Sequence, residues 1–144
     1  MRSLRLLALS AALAAAHGVG AEAPADRYAV APQGFVTDAR TGLIWQHPLS
    51  NSVYSWEQAA AYCRGLNLGA NLGFRVPTLK ELLTIVDPTR VRPAVDLKAF
   101  PNTPSEWFWT ASKSAPAGPA AVQFATGRSG FFAATDQLRV RCVR

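Results

Sequence analysis

Residues 55–66, Ser55-Trp56-Glu57-Gln58-Ala59-Ala60-Ala61-Tyr62-Cys63-Arg64-Gly65-Leu66, decide how the rest of the chain is read. Ser55 followed three residues later by Gln58 is a capping box. The serine hydroxyl accepts from the Gln58 backbone N–H, and the glutamine side chain reaches back to the serine N–H. Behind this cap Trp56, Ala59, Ala60, Cys63 and Leu66 recur at helical spacing on one apolar face. Gly65 weakens the last turn. The stretch predicts a short amphipathic helix that forms part of a core layer and carries a cysteine on its buried side.

Working outward, Thr78-Leu79-Lys80-Glu81 repeats the same device, with Leu79, Leu82, Leu83 and Val86 as its apolar stripe and Asp87-Pro88 as its stop. Upstream, Phe35–Asp38 and Leu43–Gln46 are β-prone runs around Ala39-Arg40-Thr41-Gly42, a hairpin in which Gly42 supplies the positive φ. Residues 22–34 are rich in Ala and Pro, lack periodicity, and read as a leader to a domain spanning 35–144. Downstream, the stretch from Pro88 to Pro104 has no period and is a long irregular segment, a kind often functional. Four strand-like runs follow: Glu106–Ser112, Ala121–Ala125, Phe131–Ala134 and Leu138–Val143. In the last, Leu138, Val140 and Cys142 alternate with Arg139 and Arg141, so the two arginines are expected to face away from the core.

A chain of 144 residues with 49% hydrophobic and 17% charged side chains has enough apolar content for one core and is neither disordered nor fibrous. Residues 1–21 have the marks of a secretory signal peptide. Arg2 and Arg5 precede the apolar run Leu6–Ala16, and Val19-Gly20-Ala21 offers a small-residue cleavage site. That run is shorter than the roughly 20 residues of a membrane-spanning helix, so the expected product is periplasmic or secreted. The formal charge is +6, part of it contributed by the signal, and it favours anionic partners without naming them. Export places Cys63 and Cys142 where disulfides persist, and helix and strand periodicity put both sulfurs on apolar faces. A structural disulfide is expected; two free buried thiols or a reactive pair are the alternatives.

SWEQAAAYCRGL, FRVPTLKELLTIVD, EWFWTAS and RVRCVR, together with TDARTGLIWQ and AFPNTPSEWFW, resemble the Lcl C-terminal-domain family, and their order is similar to C-type-lectin-like domains. The resemblance implies an α+β fold with a twisted antiparallel sheet, two short helices and a long irregular loop region. It also implies a disulfide from the first helix to the final strand, an exported or surface location, and binding of glycans, sulfated glycosaminoglycans among them.

The residues themselves narrow the chemistry. A calcium lectin clusters acidic and amide oxygens, whereas Phe100-Pro101-Asn102 has no acid before its proline and only Asp136 is acidic after Glu106. A zinc site wants three or four ligands, and His47 is the sole histidine beyond the signal. His47 beside Pro48 is expected to be solvated rather than catalytic. No cofactor and no metal are expected, and nucleic acid is disfavoured by export. Strand alternation puts Trp107 and Trp109 on one face and Phe108 on the other; Trp45, Trp56 and Trp109 read as core, with Trp107 at the mouth of the loops. Arg90, Arg92 and Lys98 in the irregular segment, and Arg139, Arg141 and Arg144 in the last run and tail, are the basic residues suited to sulfate or carboxylate. The reading is a non-enzymatic, calcium-independent binding module for glycan or another anionic surface polymer. Its candidate ligand residues are Arg90, Arg92, Lys98, Trp107, Arg139 and Arg141. The alternative is a protein-interaction module of the bacterial cell envelope.

Overall fold

The computed structural model describes residues 26–144; the expected signal peptide lies outside the described residues. Both capping boxes form as the sequence predicts. Helix α1 (Trp56–Gly65) starts at Ser55, whose side chain accepts from the Gln58 N–H while Gln58 accepts from the Ser55 N–H. Helix α2 (Leu79–Leu83) starts at Thr78, with Glu81 in the reciprocal role. It is shorter than its apolar stripe, and the chain passes through turns before Pro88.

Among the described residues, six strands make two three-stranded antiparallel sheets. In the first, β1 (Tyr28–Ala31) pairs with β2 (Phe35–Asp38), which pairs with β3 (Ile44–Gln46). The β2–β3 hairpin is the one expected, with Gly42 at φ 74°. Within the leader segment 22–34, Tyr28–Ala31 form strand β1, with Tyr28 opposite Asp38 and Ala31 opposite Phe35. Four residues are too few to show a period, but Arg27 reinforces the pairing: Nε and one terminal nitrogen grip both oxygens of buried Asp38, at 3.0 and 2.8 Å. The second sheet runs β4 (Trp107–Ser114), β5 (Gly118–Gln123) and β6 (Ser129–Phe131). One twisted sheet was expected; there are two.

The run Leu138–Val143 is not a strand of either sheet but a seam between them. Its backbone exchanges bonds with Tyr54 at Leu138, with Trp107 and Trp109 at Arg139, and with Ile44, Gln46 and Arg75 from Cys142 to Arg144. A segment covered on both sides distributes alternate side chains between two cores rather than between core and water. One core gathers Trp45, Leu82, Val95, Phe100, Phe108, Phe124 and Val143; the other gathers Ala59, Cys63, Phe74, Trp109, Ala121, Val140 and Cys142. Strand β4 is divided in the same way, so Phe108 and Trp109 are both fully buried on opposite faces. The irregular segment also serves the core, through Val95, Ala99 and Phe100.

Cys63 of α1 and Cys142 of the seam form a disulfide, with Cα atoms 5.5 Å apart and a sequence separation of 79. It ties the first helix to the end of the chain, as the resemblance implied.

Candidate functional site

Where the seam meets β4, the chain builds a groove. Trp107 opens β4 and is paired across the ladder with Gln123, the last residue of β5. On its other side the Arg139 N–H donates to the Trp107 carbonyl at 3.0 Å, and the Trp109 N–H donates to the Arg139 carbonyl at 2.9 Å. This two-sided pairing brings Glu106, Trp107, Gln123, Gln137 and Arg139 around one open groove of about 340 Å³, with Ser105, Val53 and Leu138 completing its walls.

Its side chains are held before any ligand arrives. Arg139 Nε donates to Glu106 Oε2 at 2.6 Å, and a terminal nitrogen donates to the Asn51 carbonyl at 2.9 Å. The half-buried Trp107 ring meets Phe132 edge-on at 4.8 Å, and a Cβ on Gly130 would lie 3.1 Å from its Cη2. The Arg128 guanidinium lies over the ring, 5.3 Å from its centroid, while Arg128 Nε donates to Gln123 Oε1 at 3.1 Å. An aromatic surface beside planar amide, carboxylate and guanidinium groups is suited to the apolar face and hydroxyl edge of a sugar ring.

Of the six candidate ligand residues, Trp107 and Arg139 are brought together here. Arg90, Arg92 and Lys98 do not line the groove. Arg90 is half-buried and bound through Nε to Asp87 at 3.0 Å. Arg92 is exposed at φ 51°, its N–H donating to the Ala125 carbonyl. Lys98 is exposed, its N–H donating to Asp96 Oδ1 at 2.8 Å. Arg144, at the end of the seam, is exposed and bonds Asn71.

Arg141 corrects the expectation outright. It is fully buried, donating to the Gln46 and His47 carbonyls and to Thr103 Oγ1, with its guanidinium 4.9 Å from the Phe100 ring centroid. The seam's second core lies where water was expected, so alternation aimed this side chain inward. Burial pushes its pKa down to about 9, still charged at neutral pH. Burial, with the nearby Arg141 charge, in turn lowers the His47 imidazole below its ordinary value.

Glu106, Gln123, Gln137 and Arg128 were missed as site residues. Each is unremarkable alone, and only the register of β4 against β5 and the seam reveals them. The placement of Arg128 one residue past the turn glycine Gly127, on the strand return facing Trp107, is the one local signal available. Among the described residues, no group of three or more His, Cys, Asp or Glu side chains could hold a metal ion, and no helix is long and apolar enough to cross a membrane.

Two small antiparallel sheets, two capped helices and one helix-to-terminus disulfide define a disulfide-tied α+β domain. The match to the Lcl C-terminal domain over residues 34–144 places it further: the chain belongs to that family. No curated protein matches it.

Proposed function

We propose that this chain is an exported, non-enzymatic module that binds a glycan or other anionic surface polymer without calcium, in the periplasm or outside the cell. The observation that carries the reading is the groove in which Trp107 is flanked by Glu106, Gln123, Gln137 and Arg139. Its polar groups are of the kind that bond sugar hydroxyls directly, so no bridging cation is required. The excess of basic side chains favours approach of an anionic polymer. The disulfide and the sequence of residues 1–21 support export. The link from first helix to terminal segment supports a C-type-lectin-like arrangement.

A glycan array probed with the domain, in calcium and again in a chelator, tests the reading. Binding that persists in the chelator and falls at least tenfold in Trp107→Ala is expected. An array without binders, beside an envelope pull-down that captures a protein, would replace it with the protein-interaction reading.

A further inference from the structure

Arg139 lines the groove, Arg128 lies beside it over the Trp107 ring and bonded to Gln123, and the two differ in what already occupies them. Arg139 faces the carboxylate of Glu106 at 2.6 Å, so its charge is matched within the protein. Among the described residues, Nε is the one side-chain donor of Arg128 with a hydrogen-bond partner, and that partner is neutral, the Gln123 amide oxygen. No carboxylate forms an ion pair with Arg128 among the described residues. Its terminal nitrogens are the end of the guanidinium left to a ligand, on an exposed side chain.

Arg128 is also unusually well fixed for an exposed arginine. Its carbonyl accepts from the Gln123 N–H at 2.8 Å, and the preceding Gly127 N–H donates to the Gln123 carbonyl at 2.7 Å. Gly127 has φ +80°, and a Cβ there would meet Val86 at 2.4 Å, so the turn sits where only glycine fits. On the other side Gly130 lies against Trp107. Backbone, amide and aromatic ring thus hold one guanidinium in place, which lowers the ordering cost of binding.

We propose that Arg128, beside the groove, is its oxyanion-reading residue, receiving the carboxylate or sulfate of an acidic sugar. The assignment rests on the glycan reading above. A guanidinium fork matches either oxyanion with two parallel bonds. Arg139 and Glu106 already match each other's charge, so the acidic group is directed to Arg128 while hydroxyls meet Glu106, Arg139 and Gln137. The basic residue that distinguishes acidic from neutral ligands is therefore Arg128, not Arg139 or Arg141.

The test is an array of paired neutral, carboxylated and sulfated glycans, read with the wild-type domain, Arg128→Gln and Arg128→Lys. The wild type is expected to prefer acidic members by about tenfold to a hundredfold, the effect of a charge-assisted pair. Arg128→Gln should erase that preference, bringing the affinity for acidic members down to that for their neutral partners, and Arg128→Lys should keep only part of it. Preference for carboxylated or for sulfated members, lost in Arg128→Gln, supports the assignment and tells which oxyanion is read. An acidic preference unchanged in Arg128→Gln, or absent from the wild type, overturns it and leaves the glycan reading standing. Absence of binding to every glycan overturns both. Should urea unfolding show that Arg128→Gln does not fold, the fork-specific loss in Arg128→Lys decides.

Discussion

Replacing both disulfide cysteines with alanine should remove a large share of the stability of this domain. Cys63 and Cys142 are fully buried, and the bridge closes a ring across a sequence separation of 79. Loop-closure entropy for a ring of that size corresponds to about 4.5 kcal/mol at 25 °C, with measured disulfides more often at about 2–4. Loss of the two sulfurs from the core around Phe74, Trp109 and Val140 adds a packing term of the same sign. Against a typical domain stability of about 5–15 kcal/mol, Cys63→Ala/Cys142→Ala should be marginal at 37 °C. Urea unfolding of oxidised wild type and of the double variant measures the difference. A steeper denaturant dependence is expected in the variant, because its unfolded chain exposes more surface once the ring is open. A loss below about 1 kcal/mol with unchanged slope would refute the view that this one bridge restrains the unfolded chain.

Two further outcomes follow from the ion pairs and the buried cation. Bonds from Arg75, and from the Thr78 backbone at the helix cap, outweigh partial burial and hold the Glu81 carboxyl at about 2. A depressed folded-state value stabilises above the ordinary carboxylate range and is lost as pH falls through it toward about 2. The urea midpoint should therefore drop over that window, and Glu81→Gln should flatten the drop. Arg141→Lys should cost about 2 kcal/mol or more in urea unfolding, because a compact ammonium cannot span the Gln46 and His47 carbonyls and the Thr103 hydroxyl together. Glycan affinity of the folded variant should match the wild type, since Arg141 is shut inside the core.

Local signals were legible where a few adjacent residues sufficed. The capping boxes at Ser55 and Thr78 and the Gly42 hairpin each rest on short patterns, and each is present; the Cys63–Cys142 bridge, also present, followed from the cysteine count and the family resemblance. What failed was the step from alternation to exposure. Arg139 and Arg141 alternate with Val140 and Cys142, but the seam is covered on both sides, so Arg141 is enclosed while Arg139 reaches the groove. Phe108 and Trp109 show the same limit on β4, one in each core. The irregular segment looked like a binding loop because it lacks a period, yet its Val95, Ala99 and Phe100 fill the interior. Of the groove, Trp107 and Arg139 were visible as residue types; Glu106, Gln123 and Arg128 became partners only through a ladder register that composition does not encode.

The most direct measurement of the central claim is a calorimetric titration, in chelator, of wild-type domain and Trp107→Ala with the strongest glycan found on the array. Saturable one-site binding by the wild type, reduced at least tenfold in a folded Trp107→Ala, is the predicted result; equal affinity in the two proteins, or binding that vanishes with the chelator, would contradict the account.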